Sequence, residues 1–203
     1  MIAIIDYGVG NLFSLISSLK KIGADIVVTA DPSVIESADR IILPGVGAFQ
    51  DAAAKLRDTG LDKVIVKQAQ SGKKIMGICL GMQMLFEKSY EYGEHKGLGL
   101  LKGNIVPMLG YIPNNLKIPH IGWNALHFTR DSDLFKYIKN DDCVYFVHSF
   151  FATDCDDSVI ATAEYGKEIT AAVQKDNVMG CQFHPEKSGE VGLNILKAFC
   201  EME

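Results

Sequence analysis

The chain has 203 residues, 48% of them hydrophobic and 22% charged, and its 20 Lys and Arg against 25 Asp and Glu give a formal charge of −5. That length and hydrophobic content suffice for one domain with a full core, expected to span residues 1–203, and exclude a disordered chain or a fibre. With no block of Lys or Arg there is no electrostatic footprint for nucleic acid or an anionic membrane surface, which leaves small molecules or another protein as partners.

In chain order, Ile2 to Ile5 is a short apolar strand run, and Asp6 follows too soon for the basic-then-apolar layout of a signal peptide. No apolar run approaches the ~18 residues of a membrane span. Cys79, Cys143, Cys155, Cys181 and Cys200 form an odd set without CxxC spacing, which predicts reduced thiols in a cytoplasm rather than a disulfide framework. Asn11 is expected to cap a helix with Leu12, Leu15, Ile16, Leu19 and Ile22 on one face. Asp25 to Thr29 and Arg40 to Leu43 are further strand runs, bounded by turns at Asp31-Pro32 and Pro44-Gly45. A helical stretch over 50–70, broken near Thr59-Gly60, leads into the apolar run before Cys79. Residues 1–86 thus alternate strand and helix, the pattern of a largely parallel sheet covered on both faces. From Gly97 the segments 103–108, 116–119, 123–128, 143–147, 159–164, 170–174 and 178–183 are short and β-prone, with one short helix over 133–138 and a last amphipathic helix over 191–199. No repeat or long linker interrupts them, so this half is expected to extend the same sheet of a three-layer α/β fold.

Chemistry concentrates at Gly77-Ile78-Cys79-Leu80-Gly81-Met82-Gln83, which reads as strand, sharp elbow, helix. Glycines at 77 and 81 suit a turn that brings backbone against backbone. The elbow holds a thiol at a helix N-terminus, where free amides and the dipole favour the thiolate nucleophile. Taken alone, Cys79 is equally a small buried hydrophobe. Gly8-Val9-Gly10-Asn11 tempts a dinucleotide reading, with Asp31 downstream, but Phe13 stands where the third glycine belongs. Pro44-Gly45-Val46-Gly47-Ala48-Phe49 lacks the Lys-Ser/Thr ending of a phosphate loop. Such a loop can turn backbone N–H groups toward a reacting atom and, with the Leu80 N–H, form an oxyanion hole. One lost donor of that kind typically costs about 2.7–4 kcal/mol of barrier.

Late in the chain, Cys181-Gln182-Phe183-His184-Pro185-Glu186 ends a strand with His and Glu at i and i+2. In extended backbone the two side chains share a side, as a general base and its orienter require. Cys181-x-x-His184 supplies only one metal-ligand pair, so no metal and no cofactor is expected. His95, His120, His127 and His148 are scattered and read as surface or hydrogen-bonded residues. Cys79, His184 and Glu186 therefore form a candidate nucleophile, base and orienter.

Gly77 to Gln83 together with Gln182-Phe183-His184-Pro185-Glu186 resembles the class I (triad) glutamine amidotransferases, and the likeness runs from residue 1 to about residue 200. Ile5-Asp6-Tyr7-Gly8-Val9-Gly10-Asn11, Pro119-His120-Ile121-Gly122-Trp123-Asn124 and Tyr145-Phe146-Val147-His148-Ser149-Phe150 narrow it to the glutaminase subunits of imidazole glycerol phosphate synthases. The resemblance implies a cytoplasmic heterodimer with a (β/α)₈-barrel cyclase. That cyclase would receive ammonia from L-glutamine for imidazole glycerol phosphate and AICAR formation in histidine biosynthesis. By motif position, Cys79 would form a glutamyl thioester, His184 would act as base then acid, and Glu186 would orient it. Gly47, Gln83 and Glu91, with the backbone of His148, Ser149 and Phe150, would bind substrate, while Asn11, Trp123 and Lys187 would face the cyclase. Phe150 departs from the Tyr more usual there, so only a backbone role carries over. The resemblance also implies low activity until the cyclase binds its ligand, with residues 44–47 as the switch and a peptide flip at Val46 as its physical basis. Three alternatives remain: a paralogue serving another synthase, a silent structural subunit, and an α/β-hydrolase, whose acid-before-His order is contradicted by Glu186 following His184.

Overall fold

The computed structural model describes residues 1–202. In chain order its first half contains β1 (Ile2–Ile5), α1 (Leu12–Lys21), β2 (Ile26–Thr29), α2 (Pro32–Ser37), β3 (Arg40–Gly45), α3 (Phe49–Asp58), α4 (Leu61–Gln70), β4 (Lys74–Cys79) and α5 (Leu80–Met84). The second half adds β5 (Phe86–Ser89), β6 (His95–Lys96), β7 (Leu101–Pro107), β8 (His120–Ala125), β9 (His127–Phe128), β10 (Cys143–His148), β11 (Phe150–Thr153), β12 (Val159–Glu164), β13 (Glu168–Lys175), β14 (Val178–Cys181) and α6 (Gly189–Glu201). Single 3₁₀ turns lie at Asp133–Phe135 and Pro185–Lys187.

The frame is an eight-stranded sheet in the order β2-β1-β3-β4-β14-β13-β12-β9, parallel from β2 to β14 and antiparallel beyond. The central strands read as unbroken apolar runs because both faces are covered. Ile4 joins Leu15, Leu19 and Phe199 of α1 and α6 in one core cluster. Its neighbour Ile5 joins Ile35, Leu56 and Ile65 of α2, α3 and α4 in the other. Each such side chain, fully buried, contributes roughly 1.5–3 kcal/mol. The crossovers bring the carboxyl ends of β1, β3, β4 and β14 to one edge of the sheet, where open α/β sheets hold their sites.

The β-rich half does not simply extend this sheet. β9, β12, β13 and β14 join it, but β10 and β8 form a separate two-stranded ribbon, and β11-β7-β5-β6 form a third sheet. Burial explains the separation. Along β8 His120 is buried while Ile121 and Trp123 are exposed, so the ribbon has one covered face and cannot sit inside a sandwich of helices. Residues 116–119 make no strand; they enter Pro119, which has no N–H to give to a ladder. The helix expected over 133–138 shortens to the turn Asp133–Phe135. The elbow helix stops at Met84, because Phe86 pairs with Leu101 of β7.

Two helix starts also differ from expectation. Asp31 does more than mark a turn: it accepts from Ser33 N at 2.8 Å and caps α2, with Pro32 at the first helical position. Asn11 occupies the cap position of α1 without capping it, and its Nδ2 instead donates to Ser14 Oγ at 3.3 Å. Phe13 points outward, 81% exposed, and packs against no strand.

Candidate active site

Cys79 ends β4 with φ 54° and ψ −112°, a conformation that only Gly adopts cheaply, and α5 starts at the next residue. The neighbouring glycines make this possible. A Cβ on Gly77 would lie 2.6 Å from Gly81 O, and one on Gly81 would lie 1.8 Å from Leu43 O. The elbow therefore packs directly on the β3 backbone. Tyr7, at the end of β1, donates its hydroxyl to Pro44 O at 2.8 Å and holds the Pro44–Gly47 loop over the elbow.

His184 and Glu186 meet, though not by strand alternation. β14 ends at Cys181, and Glu186 lies in the 3₁₀ turn Pro185–Lys187 that follows His184. The turn, opened by Pro185, folds Glu186 Oε1 back to His184 Nδ1 at 2.8 Å. Both side chains are almost wholly buried, 3% and 4% exposed. His184 is pinned further by its own N–H to Tyr145 O at 2.9 Å and by Ser188 Oγ on its carbonyl at 2.7 Å. Burial on its own would lower the imidazole pKa. Hydrogen bonding and charge from Cys79 and Glu186 override it and raise the pKa to about 9. Cys79 and Glu186 thus act on the same ring. Nδ1 is bonded to the carboxylate, which fixes the ring for proton exchange through Nε2.

A cavity of about 240 Å³ opens on the thiol, lined by Val46, Gly47, Cys79, Leu80, Gln83, Glu91, Tyr92, His148, Ser149 and Phe150. It brings together both oxyanion candidates and every substrate-binding candidate from the sequence. Several of them are held rigidly. Glu91 accepts from Phe49 N at 2.7 Å, which ties the cavity wall to the start of α3. Gln83 donates from Nε2 to Phe150 O at 3.2 Å and to Gln182 Oε1 at 2.9 Å, and Gln182 Nε2 reaches Cys79 Sγ at 3.8 Å.

Behind the triad, Asn11, Leu15, Pro44, Gly45, Val46, Ile78, His184 and Glu186 line a void of about 10 Å³. Glu186 Oε2 is buried without a hydrogen-bond partner among the described residues. Trp123 and Lys187 both flank Tyr145: the indole meets its ring edge-on at 6.1 Å, and Nζ lies 5.9 Å from its centroid. A larger cleft of about 560 Å³ near Phe128 and Ser132 contains no triad residue. Its Arg130 is committed to the carbonyls of Val159 and Asp157, so size does not decide the site.

Two cavity neighbours escaped the sequence reading. Tyr92 stands at the mouth, 86% exposed, with left-handed φ 54° and its ring edge-on to Phe150 at 6.4 Å. The Tyr-Gly pair at 92–93 was its only local signal. Gln182 sat inside a motif already singled out, but its reach to the sulfur depends on β14 lying beside β4.

The family described as "Glutamine amidotransferase class-I" matches residues 3–202. This chain belongs to the class-I glutamine amidotransferases. Among relatives of the amidotransferase, "Imidazole glycerol phosphate synthase subunit HisH" of Caldanaerobacter subterraneus subsp. tengcongensis is 52% identical, covering 100% of this chain and 98% of its own. The protein of the same description from Lactococcus lactis subsp. lactis is 51% identical over 98% of each chain. Among solved structures, one titled "Crystal structure of glutamine amidotransferase" superposes with a TM-score of 0.76 at 17% identity, covering 98% of this chain and 99% of that one. PurLQS from Thermotoga maritima gives 0.75 at 24% identity over 98% and 96%. Both structures share the fold. Among the described residues no helix is long and apolar enough to cross a membrane, and all five cysteines are free.

Proposed function

We propose that this amidotransferase is the glutaminase subunit of an imidazole glycerol phosphate synthase, acting as a single domain in the cytoplasm in histidine biosynthesis. It hydrolyses L-glutamine to glutamate and ammonia and delivers the ammonia to a (β/α)₈-barrel cyclase. The observation that carries the chemistry is the buried His184–Glu186 pair beside a strained Cys79 that opens into a glutamine-sized cavity. The near 50% identity to the HisH subunits over the whole chain supports the pathway.

In this reading the thiol proton already rests on His184, and the Cys79 sulfur attacks the carboxamide carbon of glutamine as thiolate. The N–H groups of Val46 and Leu80 stabilise the developing oxyanion. His184, as imidazolium held by Glu186, then protonates the leaving nitrogen, so ammonia departs and a glutamyl thioester remains. Water attacks the thioester with His184 again taking the proton, which regenerates the thiol and releases glutamate. Gly47, Gln83, Glu91 and the 148–150 backbone hold the amino-acid end of the substrate, the Glu91 carboxylate being suited to its ammonium. Asn11, Trp123 and Lys187 face the cyclase, and the free chain turns over slowly because the Val46 peptide must flip to present its N–H.

The test is glutamate release with and without the candidate cyclase and its nucleotide substrate. Stimulation in the complex, abolished by Cys79→Ala, is expected. Fast turnover by the purified chain alone would refute the switch, and absence of stimulation in a stable complex would refute the partner.

A further inference from the structure

The β8–β10 ribbon carries different chemistry on its two faces. Outward lie Ile121 and Trp123, each 57% exposed, with Tyr145 opposite Trp123 in register. Inward, His120 lies directly opposite His148, both nearly inaccessible to solvent. His120 Nδ1 and His148 Nε2 are 3.1 Å apart, His148 Nδ1 is 2.8 Å from Phe150 O, and Asn124 Nδ2 is 3.3 Å from His120 Nε2.

One partner fixes the direction of the whole chain. A carbonyl only accepts, so His148 Nδ1 carries the proton that it donates to Phe150 O. Burial holds both rings neutral, with His148 pushed down to about 3 and His120 to about 4. A neutral imidazole has one donor, so His148 Nε2 accepts, His120 Nδ1 donates to it, and His120 Nε2 accepts from Asn124. Asn124 is itself anchored: Nδ2 also donates to Glu164 O at 2.8 Å, and Oδ1 accepts from Ala125 N at 2.9 Å. Packing clamps His120 as well, between the rings of Phe146 at 4.8 Å and Tyr165 at 4.1 Å.

The chain ends on the glutamine cavity. Phe150 O takes His148 on one side and Gln83 on the other, and Gln83 continues through Gln182 to the Cys79 sulfur. The same ribbon fixes the opposite wall, because Tyr145 O holds the His184 N–H.

We infer that His120 is a positioning residue: through its hydrogen bond to His148 it sets the 148–150 wall that receives glutamine and makes that wall respond to whatever docks on the Trp123 face. This rests on the proposed function, since the docking partner is the cyclase. A displacement of β8 acts on His148 through both the strand pairing and the His120 hydrogen bond, and two opposed ribbon faces give the coupling a physical carrier.

The test uses two substitutions in the assembled complex. His120→Phe keeps a ring between Phe146 and Tyr165 but makes no hydrogen bond. His120→Gln sacrifices the ring but can donate to His148 and accept from Asn124. For a positioning role, His120→Phe should raise the glutamine KM of the complex, stimulated or not, about five- to tenfold, the scale of one lost hydrogen bond, while His120→Gln stays within about twofold. A role in packing alone predicts the reverse order, and that order, or wild-type KM in both variants, overturns the inference. Nitrogen-15 NMR of the wild-type complex gives an independent check that needs no variant to fold: finding His148 protonated at Nε2 instead of Nδ1 also overturns it. If the wild-type complex shows no stimulation by partner, the functional reading fails. The tautomers and the KM order still decide the positioning role.

Discussion

Replacing Glu186 with Gln should change stability in a pH-dependent way that only the His184 pair explains. The perturbation removes a charge 2.8 Å from Nδ1 while nearly conserving shape. A rise of the His184 pKa from 6.5 to about 9 amounts to about 3 kcal/mol of preference for the imidazolium in the fold. Cys79 shares in that preference, so we assign about 2 kcal/mol to Glu186, the ordinary strength of a hydrogen bond to a charged group. Both side chains are buried, so solvent screening removes little of it. The sign follows from linkage: a group whose pKa is raised on folding contributes fully below its unfolded value of 6.5 and loses that contribution as pH rises through 9. Glu186→Gln should therefore melt about 4–8 °C below wild type at pH 6, at 2–4 °C per kcal/mol for a chain of this size, with the gap closing above pH 9. His120 and His148, whose pKa values are depressed, act oppositely and weaken the fold as pH falls below 6.5. Both proteins carry them, so they cancel in the difference. Scanning calorimetry at pH 6, 7.5 and 9.5 measures it, and a gap of constant size across that range would refute the pairing argument.

Cys79→Ala should lower glutamate release at least about a thousandfold while the far-ultraviolet circular dichroism stays unchanged, since no second thiol among the described residues lines the cavity. Gly81→Ala should fail to give a folded monomer or lose more than about 3 kcal/mol by urea denaturation, because its Cβ would stand 1.8 Å from Leu43 O. Gly72→Ala, with φ +88° but open space, is the control and should cost only about 1–2 kcal/mol of backbone strain. Trp123→Ala should weaken cyclase binding by about 2 kcal/mol or more, roughly thirtyfold by calorimetric titration, without lowering the melting temperature of the free chain.

The parallel half of the fold was legible because its signals are local. Ile2 to Ile5 and Ile75 to Ile78 carry no polar side chain since both faces are covered, and Asn11 and Gly60 punctuate the segments between. The candidates Cys79, His184 and Glu186 were legible for the same reason: an elbow needs Gly77 and Gly81, and a candidate base is sought with an orienter close in sequence. His184 and Glu186 meet through a Pro185 turn instead of the expected extended strand, since both geometries bring i and i+2 together.

What stayed hidden was every contact made by pairing of distant strands. β5 and β11 became strands only because β7 lies between them, and neither Phe86–Ser89 nor Phe150–Thr153 carries a full period-two alternation. His120 and His148 read as scattered histidines, being 28 residues apart, until the register of β8 against β10 set one opposite the other. The same pairing faces Trp123 outward and the histidines inward. Trp123, expected to face a partner, and two histidines read as surface or hydrogen-bonded residues thereby become two sides of one ribbon. A site assembled this way has a physical reason to respond to docking: His148, which donates to Phe150 O, and Tyr145, whose carbonyl holds the His184 N–H, both lie in β10, and β8 is the only strand paired with β10 among the described residues.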